Sequence, residues 1–426
     1  DIFEVDANRS TYVGRLITWI PGELLANCKW QGLELLRHLG SCVAEIDVAL
    51  QGFDHAAMHR GDFPWDLRNA SAVIDLHLDQ VEDSQMRLQI EVIRANLAEY
   101  VEPRFPLLEQ SVIHNDANDH NVIVQCPAID QQQVAGVIDF GDMVHSCTVC
   151  GLAIAVAYAM LDKTDPLQAA THIVEGYHGV RPLTEDELAV VFPMACGRLA
   201  VSACMAAVQQ RQRPDDPYLS VSQEPIRRTL PRLLEIHPRF AEATFREACG
   251  LPPNPAAEAV GHWLDANQEV IKPILPSALL TSQPLILDLS PYNPALPVGP
   301  MDEDNQVDFS TGSLAVGDAD VFVGRYDEAR LIYTDEAFAG SCPTSERRTI
   351  HLGMDFGVAE QTPVHAPIAG VVHALADRAH PQDYGPVVVL RHMVGDLMFY
   401  TLYGHLSRES LQALEVGQTI ESGQAF

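Results

Sequence analysis

Apolar and polar positions set out the elements in chain order. In "DIFEVDANRSTYVGRLITWI" (1–20) short alternations predict two β-strands around an Asp6-Ala7-Asn8 turn, with β-branched residues in the second. Pro21-Gly22 then breaks the extended pattern. From Leu33 the period changes: apolar residues recur at Leu36, Leu39, Val43, Ile46 and Leu50 up to Gly52, and a second run carries Met86, Ile90, Ile93, Leu97 and Val101. Both runs predict helices with one buried face. "VIV" (122–124) and "VAGVIDF" (134–140) read as short strands joined by a polar turn. Thr184 with Glu187 three residues on forms a capping box, so a helix is expected from there toward Val208.

After Gly250 the texture becomes Pro-rich and weakly periodic, from "LPPNPAAEAVGHWLDANQ" to "SPYNPALPVGPMDEDNQ", which reads as linker. From about Ser310 short strands alternate with Gly turns, as in "APIAGVVHAL" and "GPVVVLRH", predicting an all-β domain. The expected division is therefore 1–255, 256–309 and 310–426, with no internal repeat. The most apolar run, "GLAIAVAYAML" (151–161), is too short to cross a bilayer. A cytoplasmic protein is expected.

Charge narrows the partners. A net charge of -31, with three lysines (Lys29, Lys163, Lys272) against twenty-four arginines, argues against nucleic acid and acidic membranes and favours cationic substrates or metal ions. The nine cysteines lack a disulfide-like spacing, and Cys147-x-x-Cys150 has no second pair to complete a zinc ribbon, so both are read as buried thiols.

The first constellation of chemistry is "VIHNDANDHNVIV" (112–124) followed by "VIDFGD" (137–142). His114-Asn115-Asp116 with Asn121 has the order H-x-D-x-x-x-x-N, and Asp139-Phe140-Gly141 closes the next strand. In phosphoryl transfer one carboxylate faces the attacking hydroxyl while an amide and a second carboxylate hold Mg²⁺ on the nucleotide phosphates. Either half alone reads equally as a polar turn or a chance tripeptide. Both together, in this order, point to kinase-like chemistry.

These residues resemble the aminoglycoside phosphotransferase and choline kinase family, especially its hydroxylysine kinase-like branch, over about residues 1–255. "LITWIPGELL" is similar to the family's hinge, "FPWDL" (63–67) to the segment before its central helices, and "HNDANDHN" with "IDFGDM" to its catalytic and metal loops. The resemblance implies a protein kinase-like fold, mostly its helical C-terminal lobe with the N-lobe truncated. It implies Asp116 as catalytic base, His114 as a loop-positioning residue, and Asn121 and Asp139 as Mg²⁺ ligands. Trp19 and Ile20 of the hinge are the expected contacts to ATP, and Asp142 is expected to shape an acidic mouth. The family's phosphate-covering loop and ATP-binding lysine would precede Asp1, so the chain is expected to be a piece of a longer protein and to bind ATP poorly by itself. An acidic mouth suits a small cationic hydroxylated substrate, an amino alcohol whose ammonium meets a carboxylate while its hydroxyl faces Asp116. Trp65 is read first as a core aromatic and second as a cation-π face.

The second constellation is His351-x-x-x-Asp355 in "RTIHLGMDFGVAEQTPVHAPIAGVV", followed by "YGHLS" (403–407). Residues four apart on an extended segment share a face, so imidazole and carboxylate can converge on one ion. A catalytic Zn²⁺ usually takes three protein ligands, and two are present. Residues 345–426 resemble the M23 (lysostaphin and LytM-like) metallopeptidase family through "HLGMDFG", "TPVHAPIAGVV", "YGPVVVLRH" and "YTLYGHLS". That resemblance implies His351 and Asp355 as zinc ligands and His405 as the catalytic histidine, with the third ligand expected after Phe426. A zinc hydrolase and a retained β scaffold or ligand-binding spacer both stay open. His365, His373, His380 and His392 are read as surface or core residues. The whole arrangement is a multidomain α+β chain, and it resembles bacterial fusions that continue into a class III, pyridoxal-phosphate-dependent aminotransferase or phospholyase. PLP would belong to that further domain.

Overall fold

The two runs flanking "HNDANDHN" form strands, and the pairing of each with a later strand is what organises the site. In this computed structural model the described residues are 2–7, 10–15, 17–126, 128, 131–213, 223–281, 283–294, 296, 320–330, 333, 338, 348–379 and 383–426. The chain divides into two units, Asp1–Asn254 and Pro255–Phe426. Expectations resting on Asn8, Ser310, His380 and residues 297–309 lie outside the described residues.

The first unit opens with an antiparallel hairpin, β1 (Ile2–Ala7) and β2 (Ser10–Arg15), then a short β3 (Glu23–Leu24). Helices α1 (Leu33–Leu50), α2 (Ala70–His77) and α3 (Ser84–Asn96) follow. Asp83 caps α3 by accepting from the Gln85 and Met86 N–H groups. The second predicted helix is regular only to Asn96. Leu97–Val101 continue as a wider π-turn that keeps Leu97 and Val101 buried.

Strands β4 (Gln110–Ile113), β5 (Val122–Gln125), β6 (Gln133–Val137) and β7 (Val144–Cys147) make two nested antiparallel ladders, β5 with β6 inside β4 with β7. The predicted strand over 134–140 stops at Val137, because Asp139 takes a left-handed backbone (φ 65) that no ladder accommodates.

Five helices complete the unit: α4 (Val149–Ala159), α5 (Pro166–Val180), α6 (Glu185–Gln212), α7 (Gln223–Leu234) and α8 (Pro238–Ala248). The expected capping box at Thr184 and Glu187 is present at the start of α6. All of α4 is buried, and so is most of α6, which is why their sequences are apolar on every face. By length and composition α6 could cross a membrane, but 94% of its most apolar stretch is buried inside the protein, as in a core helix.

Two glycines let α1 and α5 cross with their backbones in contact. A Cβ on Gly40 would lie 1.9 Å from the Ile173 carbonyl oxygen, and one on Gly176 would lie 1.8 Å from that of Arg37. The crossing also buries Asp47, whose Oδ2 accepts from the Tyr177 hydroxyl at 2.7 Å. Nearby, Arg181 bonds Glu109 (2.6 Å) and Glu187 (2.8 Å). Burial pushes the Asp47 carboxyl up to about 7, opposed by the Tyr177 hydrogen bond and the Arg181 charge.

The second unit begins with α9 (Pro255–Ala266), so the stretch expected as linker carries structure of its own. Its β8 (Leu285–Leu287) pairs parallel with β9 (Phe322–Gly324), giving three apolar positions a sheet partner. Then come β10 (Glu328–Ala329), β11 (Ile350–His351) and β12 (Asp355–Gly357). β10 pairs with β11, and β12 with β9. A four-stranded antiparallel sheet follows, of β13 (Gly370–Arg378), β14 (Gly385–Val394), β15 (Leu397–Tyr403) and β16 (Thr419–Ile420), with a short α10 (Arg408–Gln412). Val372, Val388, Leu390 and Ile420 form its small core.

Gly40→Ala and Gly176→Ala are each expected to destabilise the first unit by about 1–3 kcal/mol or more, because helix backbone cannot withdraw from the added methyl. Urea midpoints measure this, and unchanged midpoints in both would remove the close-crossing account. Asp47 offers a pH test. A carboxyl raised on folding contributes stability below its ordinary value of 3.8 that is lost as pH rises through about 7. Asp47→Asn should therefore gain stability relative to wild type as pH rises across that window, read as diverging urea midpoints.

Candidate functional site

Nesting of the ladders brings two loops side by side. Ile113 pairs with Val144 and Val122 with Val137, so residues 114–121 and 138–143 leave the same junction. The Ile138 N–H donates to the Asn121 carbonyl at 2.9 Å, and the Phe140 ring stands edge-on to His114 with centroids 4.5 Å apart. His114 is buried. Its Nδ1 accepts from the Asp116 N–H (3.2 Å), so Nε2 carries the hydrogen and donates to the Ile138 carbonyl (3.0 Å). Burial pushes the imidazole below its ordinary value, consistent with a neutral ring that ties one loop to the other.

Asp116 is held from three directions. Its Oδ1 accepts from Asn118 Nδ2 (2.9 Å) and Arg198 Nη2 (2.9 Å), and its Oδ2 from Asn121 Nδ2 (2.7 Å). Burial raises its carboxyl above the ordinary range, Arg198 and Asn118 oppose the rise, and Asp142 and Asp139 add to it. Both aspartates of the second loop therefore share an acidic neighbourhood with Asp116. Asn115, with φ 64, is fully buried and donates to the Trp65 carbonyl at 3.3 Å.

Arg198 was not singled out by sequence reasoning. It lies on α6 with 2% exposure, its Nη1 donating to the Trp65 carbonyl at 3.1 Å and its guanidinium 4.6 Å from the Trp65 ring centroid. A lone arginine inside the apolar run "PMACGRLAVSAC" was the available signal, since a buried guanidinium needs an acceptor. Trp65 packs against the core and against this cation. Its segment is fixed to β7 by Ser146 Oγ to Asp66 Oδ1 (2.5 Å) and Arg68 Nη2 to the His145 carbonyl (2.6 Å).

The donor set fits an oxygen-seeking cation such as Mg²⁺. Asn121 spends its amide hydrogens on Asp116, so its Oδ1 stays available among the described residues. Asp139 is exposed, with Oδ1 accepting from the Gly141 N–H at 3.2 Å. Of the two hinge residues, Ile20 lies against Gly136 of β6, where a Cβ would come within 2.8 Å of its Cδ1, whereas the Trp19 side chain is 83% exposed.

In the second unit His351 and Asp355 face each other, Nε2 to Oδ1, at 3.4 Å. His351 Nδ1 lies 3.0 Å from the Arg325 carbonyl, which can only accept, so Nε2 presents its lone pair to a carboxylate oxygen. A nitrogen and an oxygen donor so arranged, with the other imidazole nitrogen on a carbonyl, fit Zn²⁺. Arg330 holds the opposite oxygen of Asp355 at 2.8 Å and Glu328 at 2.9 Å. Among the described residues no cluster of three or more His, Cys, Asp or Glu side chains converges on one point. His405 is exposed just after β15, its backbone (φ 57) donating to the Tyr384 carbonyl at 2.7 Å, and no hydrogen bond joins it to His351 or Asp355 among the described residues. His392 is a core histidine between the Ala369 carbonyl and Thr401.

Comparison with known proteins finds a family match within each unit. Residues 3–186 match the phosphotransferase enzyme family, and residues 349–426 match peptidase family M23. Hydroxylysine kinase from Mus musculus is 29% identical over 245 residues, covering 56% of this chain and 65% of that protein. An uncharacterized metalloprotease from Haemophilus influenzae is 38% identical over 82 residues, covering 19% of this chain and 16% of that protein. A microcompartment-associated aminopropanol kinase structure overlays with a TM-score of 0.40 at 17% identity, covering 59% of this chain and 74% of that one. The chain spans less than two thirds of the length of the curated hydroxylysine kinases it matches. It thus carries a phosphotransferase-family domain of protein kinase-like fold with hydroxylysine kinase homologues, and with it a region that matches the M23 peptidase family.

Proposed function

We propose that the first unit transfers the γ-phosphoryl group of ATP to the hydroxyl of a small amino alcohol or hydroxy amino acid, hydroxylysine-like in its chemistry. The observation that carries this reading is the convergence of Asp116, Asn121 and Asp139 from adjoining loops. Asp116 is the base that takes the hydroxyl proton, and His114 keeps its loop against the Asp139 loop. Asn121 Oδ1 and Asp139 would hold Mg²⁺, whose charge offsets that of the phosphates. Ile20 and Trp19 would border the adenine. The negative neighbourhood of Asp139 and Asp142 favours a substrate ammonium, in keeping with hydroxylysine kinases among the relatives. A phosphorylated amino alcohol is suited to elimination of its phosphate, so we place this step ahead of a pyridoxal-phosphate-dependent aminotransferase or phospholyase.

The test is ADP release by the full-length protein, as its gene encodes it, with Mg²⁺, ATP and a panel of amino alcohols and hydroxy amino acids. Asp116→Asn is expected to lower kcat by about 10²- to 10⁴-fold, the usual contribution of a positioned base. A wild type inert toward the whole panel sinks the reading for this substrate class.

The lone pairs that His351 Nε2 and Asp355 Oδ1 turn toward each other support a second reading, zinc chemistry of the M23 type in the second unit. Arg330, which holds the far oxygen of Asp355, would then orient a ligand. Arg330→Gln is expected to weaken Zn²⁺ binding by about 10- to 100-fold, as loss of an outer-shell partner does. Calorimetric titration of the full-length protein measures it, and zinc binding unaffected by both His351→Ala and Asp355→Ala would leave the scaffold reading.

A further inference from the structure

The hydrogen bonds around Asp116 distinguish its two oxygens. Oδ1 accepts from Asn118 Nδ2 and Arg198 Nη2, both at 2.9 Å, which uses its two lone pairs. Oδ2 accepts from Asn121 Nδ2 alone among the described residues, at 2.7 Å, and keeps one lone pair. The guanidinium that saturates Oδ1 is itself held by the Trp65 carbonyl at 3.1 Å and by the Trp65 ring at 4.6 Å. Asn115 donates to the same carbonyl, so the residue beside Asp116 and the cation bonded to Asp116 share one anchor. That anchor is fixed to β7 through Asp66 and Ser146.

From this geometry we infer that Arg198 is a positioning residue of the phosphoryl transfer: it sets the rotation of the Asp116 carboxylate so that Oδ2 receives the acceptor's proton. The inference rests on the phosphotransferase reading. In the step, the acceptor oxygen bonds to the γ-phosphorus of ATP. The bond from that phosphorus to the bridging oxygen breaks, its electron pair leaving with ADP, and the hydroxyl proton passes to Oδ2. Arg198 touches neither substrate. It acts through Asp116 alone, so its loss should lower kcat without weakening the binding of ATP or acceptor. Lysine cannot replace it, because a single ammonium cannot bond Asp116 and the Trp65 carbonyl in one plane while stacking on the ring.

The experiment compares Arg198→Ala and Arg198→Lys with wild type in the full-length protein, using ATP, Mg²⁺ and an acceptor on which the wild type turns over. Expected for Arg198→Ala is a loss in kcat of about 100-fold, the effect of a misplaced catalytic group, with both KM values nearly unchanged. Added guanidinium ion at millimolar concentration should restore part of that kcat, and should restore nothing in Asp116→Asn. Arg198→Lys covers the case in which the alanine variant fails to fold, and should show the same loss in kcat at near wild-type thermal stability. An unchanged kcat in either folded variant, a loss confined to KM, or an alanine variant that guanidinium does not rescue would overturn the assignment. A wild type without turnover removes the phosphotransferase reading and the assignment together. Normal wild-type turnover with an unaffected Arg198 variant removes the assignment alone.

Discussion

A carboxylate taken most of the way out of water must be met by donors, and much of the first unit's architecture supplies them to Asp116. Asn118 and Asn121 come from its own loop, but Arg198 comes from α6, more than eighty positions away in the chain. For that guanidinium to arrive, α6 has to run through the core, and its charge has to be covered along the way. Trp65 covers it with ring and carbonyl together. The "FPWDL" segment is in turn fixed by Asp66 and Arg68 to β7, the strand that follows the Asp139 loop. The Asp116 loop, the Asp139 loop, the Trp65 segment and α6 are therefore one connected arrangement of polar partners inside an apolar core. Such an arrangement is stable only when its members are all present, since a buried charge left without its partner costs more than the pair contributes.

Two left-handed residues complete it. Asn115 and Asp139, with φ 64 and 65, sit at matching points of the two loops, and both are residue types that tolerate this region. Asp139 ends its strand and turns its carboxylate outward, while Asn115 turns its side chain inward to the Trp65 carbonyl. One loop thus presents a largely buried carboxylate and the other an exposed one within the span of two short strand pairs.

The second unit applies the same rule with the sign reversed. Arg330 is buried, so acceptors must surround it, and Glu328 and Asp355 do. Gly324 makes room: a Cβ there would lie 2.5 Å from Asp355 Oδ2. With one Asp355 oxygen committed to Arg330, the other is left to His351. His405 is exposed just after β15, and among the described residues no hydrogen bond joins it to this pair.

Periodicity and local chemistry reached a good deal of this from residues alone. Helix α1 follows from the spacing of Leu36, Leu39 and Val43, the start of α6 from the Thr184 and Glu187 capping box, and both loops from short apolar strands around polar runs. These are short-range signals, in which neighbours in the chain are neighbours in space. Over 256–309 such short-range signals are weak. Pro-rich sequence reports weak local preference, and the pairing of β8 with β9 depends on a strand more than thirty residues on. Resemblance supplied roles for His114, Asp116, Asn121 and Asp139, but Arg198 had no motif to carry it. In one dimension it is an arginine in an apolar helix. Only the packing of α6 against the Asp116 loop turns it into the cation of a specific carboxylate, because which buried charges meet is decided by how the helices cross, and that is settled by the whole core together.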